Sequence, residues 1–112
     1  MTAAARGKLA RLQGLAQMVQ DAQLAHLRTI ARARDDSLAH LADLNRPFPP
    51  SDLHPVVAAE AEIRFQRWAD LRRAEVNQLL ARQNVQMEVA RGAAQLAFGR
   101  STALARLRDD QV

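Results

Sequence analysis

Three histidines, His26, His40 and His54, are the side chains best suited to bind a metal ion or to transfer a proton near neutral pH. On a helix, the spacing of fourteen residues between His26 and His40 places both on one face, about 21 Å apart. Ligands of one metal ion lie within about 2.5 Å of it, so these two histidines cannot share an ion. We interpret all three as ordinary residues of the surface or of a packing seam.

The acidic residues offer no better site. Asp35 and Asp36 are adjacent, and adjacent residues of a helix point in different directions. Asp109 and Asp110 lie where we expect a helix to fray. The sequence contains no cysteine, so it has no thiolate nucleophile or thiolate metal ligand. We therefore predict no catalytic, cofactor-binding or metal-binding residue, and a protein that is not an enzyme.

The composition is typical of long helices. Apolar residues make up 48% of the chain but aromatic residues only 4%, because most of the apolar residues are alanine and leucine. These two are the best helix formers, and arginine, glutamine and glutamate follow closely. The β-branched and aromatic residues that strands favour are scarce. The sequence predicts an all-α protein with a helix content above about 70%, compared with about one third in an average globular protein.

The only strong break in the sequence is a proline-rich stretch. All four prolines lie between positions 47 and 55, and a helix cannot pass through them because proline lacks the N–H donor and disfavours helix in the preceding residue. We predict one helical hairpin domain with a helix over about 5–45, a loop over 46–55 and a helix over about 56–108. Pro55 suits the first turn of the second helix, with Ser51 or Asp52 as candidate caps.

Each predicted helix carries an apolar stripe at helical spacing. Helices of this length would leave these stripes in water unless they packed together, so we predict an antiparallel coiled-coil hairpin. The first stripe comprises Leu12, Leu15, Val19, Leu27, Ile30, Leu38, Leu41 and Leu44. The second comprises Phe65, Trp68, Val76, Leu79, Leu80, Met87, Ala90, Ala94, Ala97 and Leu104.

The hairpin predicts which residues should be neighbours. We expect Leu41 and Leu44 to lie near residues 57–65, and residues 12–19 to lie near residues 85–94. The second helix is longer than the first, so we expect its end to extend beyond the partner helix.

The net charge of +4 allows an acidic protein, an anionic membrane surface or nucleic acid as a partner. Acids interleaved with the arginines of the second helix form ion pairs and weaken the field that phosphate binding requires. We therefore do not expect nucleic-acid binding, although a small nucleic-acid-associated protein remains the alternative. No apolar run approaches the roughly 18 residues of a spanning helix, and we expect a cytoplasmic protein. The interleaved acids are Glu60, Glu62, Asp70, Glu75 and Glu88.

The best candidates for partner binding surround the only tryptophan. Trp68 and Arg72 share a helix face because they are four residues apart, and Trp and Arg are enriched where binding energy concentrates. Trp68, Arg72 and Arg73 are therefore our candidate partner-binding residues, with Arg100 and Arg106 on the extending end as further candidates. The alternative is that Trp68 and its neighbour Phe65 only cap the hairpin core beside the loop.

The whole pattern resembles the FliJ family of flagellar export proteins and the YscO-like proteins of injection systems. The matching features are an opening Lys8-Leu-Ala-Arg-Leu-Gln-Gly-Leu15, a central break, and a longer arm rich in Gln, Arg and Ala that ends at Leu104-Ala-Arg-Leu107. The chain is shorter, and its loop richer in proline, than these families lead us to expect. The resemblance implies an antiparallel two-helix coiled coil.

The resemblance also implies a function. It is that of a cytoplasmic accessory stalk or chaperone of flagellar or type III secretion, inserted in a hexameric export ATPase and in contact with the export gate. A homo-oligomer, or a purely structural coiled-coil assembly subunit, remains a further alternative.

Overall fold

A computed structural model describes residues 1–50 and 52–110 of the chain. Helix α1 spans Ala3–Leu44 and helix α2 spans Pro55–Asp109. The described residues are 89% helical and include no strand, and the predicted fold of an all-α antiparallel helical hairpin is confirmed.

Both helices begin at a recognisable cap. The backbone N–H of Ala5 donates to the Thr2 hydroxyl oxygen at 3.1 Å, which satisfies one of the donors left free at the start of α1. At the start of α2, the backbone N–H of Val56 donates to Nδ1 of His54 at 3.2 Å. His54, rather than Asp52, is therefore the cap of α2, and Pro55 occupies the first helical position as its fixed φ favours. Ser51, the other candidate cap, lies outside the described residues.

The chain divides into two compact units, and each contains part of both helices. Residues 1–31 and 85–112 form one unit, which we call the terminal unit. Residues 32–84 form the other, which we call the loop unit because it contains the connection between the helices.

The loop unit has an apolar core of larger side chains. The chain is antiparallel here, because the sequence separation of the residues that meet grows from 28 for Arg73 and Asn45 to 50 for Arg34 and Asn84. The buried residues of the core are Leu44, Ala69, Val76 and Leu80, with Leu41 and Phe65 packed against them.

Arg73, rather than a residue of 57–65, donates to the Leu44 carbonyl. The predicted neighbours therefore lie at least eight residues too early on α2, although Phe65, the last residue of that range, packs against the core that contains Leu44. The reason lies in the connection between the helices. Asn45 is held beside Arg73, whereas α2 begins at Pro55, eighteen residues earlier and about 27 Å away along the helix. The ten residues that connect the helices reach about 33–36 Å when fully extended, so the connection can span this distance.

The terminal unit has a seam of small and polar side chains. The Ser101 hydroxyl donates to Oε1 of Gln17 at 3.4 Å, and Nη1 of Arg108 donates to Oε1 of Gln13 at 3.1 Å. The expectation that residues 12–19 face residues 85–94 is therefore wrong by a similar number of residues. The buried apolar residues of this unit are Ile30, Ala90, Ala94 and Ala97.

The first part of the predicted α1 stripe is also wrong. Leu12, Leu15 and Val19 are exposed, and half-buried or buried positions at alternating spacings of three and four form the seam instead. Such spacing is the heptad pattern of a coiled coil. The seam positions of α1 in this unit are Leu9, Gln13, Ala16, Gln20, Gln23, Leu27 and Ile30.

Candidate protein-binding surfaces

Trp68 lies in a small aromatic cluster of the loop unit. Its ring centroid is 5.8 Å from that of Phe65, which is 5.4 Å from that of Phe48, and both pairs are tilted. Phe65 is half-buried and packs against the core, whereas Trp68 remains 54% exposed. Phe65 therefore caps the core, and Trp68 contacts this cap but remains more than half accessible.

Arg73 holds α2 to the end of α1. Its Nη2 donates to the backbone carbonyl of Leu44 at 3.0 Å, and its Nε donates to Oδ1 of Asn45 at 2.9 Å. A cation that donates to the last carbonyls of a helix satisfies free acceptors and interacts favourably with the helix dipole. Nη1 also pairs with Asp70 at 2.6 Å, and the side chain is only 25% exposed. Arg73 thus has a structural role in the hairpin itself.

Arg72, in contrast, forms no hydrogen bond or ion pair with α1 among the described residues. Its Nη1 pairs with Oε2 of Glu75 at 2.7 Å, one turn further along α2. The Arg72 side chain is 41% exposed and the Glu75 side chain 65%, and a solvent-accessible pair of this kind contributes at most about 0.5 kcal/mol to stability. Arg72 and the exposed part of Trp68 therefore form an accessible pair on one helix face.

Arg100 and Arg106 lie in the terminal unit, so the structure does not bring them into one site with the three candidates of the loop unit. Both are exposed, and neither forms an ion pair with any residue that the structure describes. Their charges are accordingly available to an acidic partner.

The net charge is confined to one of the two units. The loop unit contains eight basic and eight acidic residues, whereas the terminal unit contains eight basic residues and only four acidic ones. The whole surplus of +4 therefore belongs to the terminal unit. No acid occurs between residues 1 and 20 or between residues 92 and 108, so the basic residues of these stretches are not neutralised locally.

Two grooves lie between the helices of the terminal unit, one on each side of the seam. The first has a volume of about 400 Å³ and is lined by His26 from α1 and by Val89 and Ala93 from α2, among others. The second has a volume of about 350 Å³, and its lining includes Leu24 and Phe98. Both grooves are open, and their walls are mostly aliphatic.

The first groove continues into an exposed aliphatic surface. Residues seven apart lie on the same face of a coiled-coil helix, so the face of His26 also carries Val19 and Leu12, and the face of Val89 carries Leu96. We call this side of the seam the leucine–valine flank. Its exposed large apolar residues are Leu12, Leu15, Val19, Val89, Leu96 and Leu107.

This flank was not predicted from the sequence, because Leu12, Leu15 and Val19 were assigned to the seam. One signal was available. Val19 and Leu27 are eight residues apart, and a heptad seam allows seven, so both cannot occupy the same line of the helix. Leu27 and Ile30 precede Leu41 and Leu44 by two heptads each. The four residues therefore belong to one heptad pattern, and this pattern defines the seam.

No group of three histidine, cysteine, aspartate or glutamate side chains within the described residues could hold a metal ion. His26 and His40 lie in different units, and His54 acts as a helix cap. Within the described part of the chain, neither helix is long and apolar enough to cross a membrane.

Comparisons with protein-family models, with curated proteins and with solved structures found no match to this chain.

Proposed function

We propose that the chain is a non-enzymatic protein-interaction module that acts in the cytoplasm as an accessory stalk or chaperone of a flagellar or type III secretion export ATPase. One observation carries the interaction function. In the terminal unit, alanine and glutamine fill much of the seam while large aliphatic side chains lie outside it. Full burial of one such side chain contributes about 1.5–3 kcal/mol, so a partner that covers several of them gains substantial binding energy.

The export assignment rests on the family resemblance. The hairpin architecture agrees with what that resemblance implies. Independently, the charges of the exposed Arg100 and Arg106 suit an acidic partner. In this proposal the hexameric export ATPase and the export gate are the partners, and the accessible pair of Trp68 and Arg72 is one contact.

A binding experiment with a purified flagellar or type III export ATPase tests the proposal. We expect the full chain to bind the immobilised hexamer with a Kd below about 10 μM. Truncation of a binding hot spot costs at least about 2 kcal/mol, so Trp68→Ala and Arg72→Ala should each weaken binding about thirtyfold. Arg67→Ala, a substitution of another exposed arginine on α2, is the matched control and should bind normally.

Two results would refute parts of this proposal. Absence of binding to the ATPase would remove the export assignment. Normal binding by both the Trp68 and the Arg72 variants would move the contact to another surface.

The charge distribution favours nucleic acid as the second candidate partner, because the terminal unit contains the entire basic surplus. Phosphate contacts release counterions, so such binding would weaken by orders of magnitude between about 50 mM and about 200 mM salt. Micromolar binding to a DNA duplex at physiological salt, with this salt dependence, would rank nucleic acid above a protein partner.

A further inference from the structure

We propose that the leucine–valine flank of the terminal unit is the docking surface for an acidic amphipathic helix of a partner protein. This inference rests on the interaction function proposed above, and it names the surface and the chemistry of the partner. It concerns a surface different from that of Trp68 and Arg72.

In the terminal unit, the usual distribution of apolar side chains is reversed. Leu15 is 58% exposed and Leu96 is 56% exposed, whereas three of the four buried apolar residues of the unit are alanines. Large aliphatic side chains normally occupy the interior and alanine tolerates either environment. A helix pair with this distribution leaves large aliphatic side chains uncovered.

The leucine–valine flank also has a shape that suits a helix. The groove at His26, Val89 and Ala93 is concave and has a volume of about 400 Å³. From Leu12 to His26 the flank extends over about 21 Å of α1. A row of side chains at helical spacing fits between two neighbouring helices, and an amphipathic helix laid in an apolar groove is a common mode of recognition. The groove therefore suits a third helix.

The charge around the flank is basic. The terminal unit has only two acids before residue 109, and both belong to the opposite side of the seam. Asp21 accepts a hydrogen bond from Gln17 at 3.0 Å, and Glu88 pairs at 2.7 Å with Arg91, which lines the second groove.

The charged side chains that border the leucine–valine flank up to residue 108 are therefore all basic. Arg100 lies seven residues after Ala93 of the groove, and heptad spacing places Lys8 seven residues before Leu15. Acidic residues beside the apolar stripe of the partner would complement these charges.

The same charges make the other occupants less favourable. A second copy would bring two basic flanks together, with like-charge repulsion. An anionic membrane attracts dense basic clusters, and this flank has few cations along a concave surface. An acidic amphipathic helix complements both the basic charge and the concave shape of the flank.

The test uses the full chain and a synthetic probe. The probe is a labelled helical peptide of 21 residues, about 31 Å long, with leucines at heptad spacing and glutamates on both sides of them. A second peptide with lysine in place of every glutamate is the charge control. We expect the acidic peptide to bind at least tenfold more tightly than the basic one, and its affinity should fall as salt is added.

Two double variants locate the binding surface. Leu15→Gln with Leu96→Gln removes apolar area from the leucine–valine flank and should weaken binding of the acidic peptide at least tenfold. Met18→Gln with Phe98→Gln changes two equally exposed side chains of the same unit that lie outside the flank, and it should bind normally. Circular dichroism should show the same helix content for both variants, because all four side chains are exposed.

Other outcomes overturn the proposal. Equal binding of the acidic and basic peptides removes the charge argument, and equal loss in both double variants removes the flank. A dimer in analytical ultracentrifugation that the Leu15 and Leu96 variant abolishes identifies a second copy as the occupant. Binding to phosphatidylglycerol vesicles, abolished by the same variant, with no binding of the acidic peptide identifies a membrane.

The binding experiment with the export ATPase separates this inference from the proposed function. If the Leu15 and Leu96 variant binds the ATPase as tightly as the original chain and neither peptide binds, the docking surface is wrong and the export assignment stands. If the acidic peptide binds through the flank but the ATPase does not bind, the export assignment is wrong and the docking surface stands.

Discussion

Replacement of Arg73 by alanine should destabilise the hairpin, although the residue lies close to the surface. The guanidinium group donates to the Leu44 carbonyl and to the Asn45 side chain, and it pairs with Asp70. Removal of the group leaves the end of α1 without these donors. Its neighbour Arg72 pairs only with exposed Glu75 among the described residues, so the two adjacent arginines provide a matched comparison.

The magnitude follows from these contacts. Each of the two hydrogen bonds to the end of α1 contributes about 0.5–1.5 kcal/mol, and a cation at a helix C-terminus adds about 0.5 kcal/mol. The ion pair with Asp70 contributes little because the acid is 73% exposed. The sum is a loss of about 2 kcal/mol, which corresponds to about 8 °C in Tm for a chain of this size.

Thermal unfolding followed by circular dichroism measures this loss. Arg73→Ala should lower the Tm by about 8 °C, and Arg72→Ala by less than about 2 °C. Asn45→Ala should lower it by an intermediate amount, and the double variant with Arg73→Ala should show coupling between the two residues. Equal Tm values for the two arginine variants would refute the structural role assigned to Arg73.

Four further substitutions have predictable effects on stability in urea unfolding. Leu44→Ala should destabilise by about 3 kcal/mol because it leaves a cavity in the core of the loop unit, and a loss below about 1 kcal/mol would mean that the core does not depend on this residue. Gln83→Leu should stabilise by about 1 kcal/mol, because Oε1 of Gln83 is buried without a hydrogen-bond partner among the described residues; destabilisation would reveal a partner for that oxygen. Gly92→Ala and Gly99→Ala should each stabilise by about 0.5–1 kcal/mol, because both lie in a helix and an added Cβ would meet open space; a fall in stability would show that a Cβ is not accommodated there.

The sequence was sufficient to predict the two helices and their antiparallel arrangement. The prolines between positions 47 and 55 divide the chain, and the residues on either side favour helix strongly. Local preference and the need to bury apolar stripes agree in this case. The cap of α2 was harder to predict, because histidine is not among the preferred cap residues, yet His54 Nδ1 accepts the hydrogen bond.

The register could not be predicted from the stripes alone. When one helix slides along the other by seven residues or a multiple of seven, the two apolar stripes still face each other. In the structure, the contacts of Arg73 with the Asn45 side chain and the Leu44 carbonyl show which turns meet. The structural role of Arg73 was missed for the same reason, since it depends on the end of α1 lying beside that particular turn of α2.

A seam of alanine and glutamine in the terminal unit separates the requirements of folding from those of binding. Alanine and glutamine are strong helix formers, so this part of α1 is helical without the leucines and valines of the flank being buried. The leucines and valines are consequently available to a partner. Substitutions that placed leucines and valines in the seam instead would stabilise the free hairpin and remove the binding surface. The loop unit, with Leu44, Val76 and Leu80 inside its core, has less to gain from a partner. Because binding to the folded state adds its own free energy to stability, the terminal unit is the part of the hairpin that a partner would stabilise most.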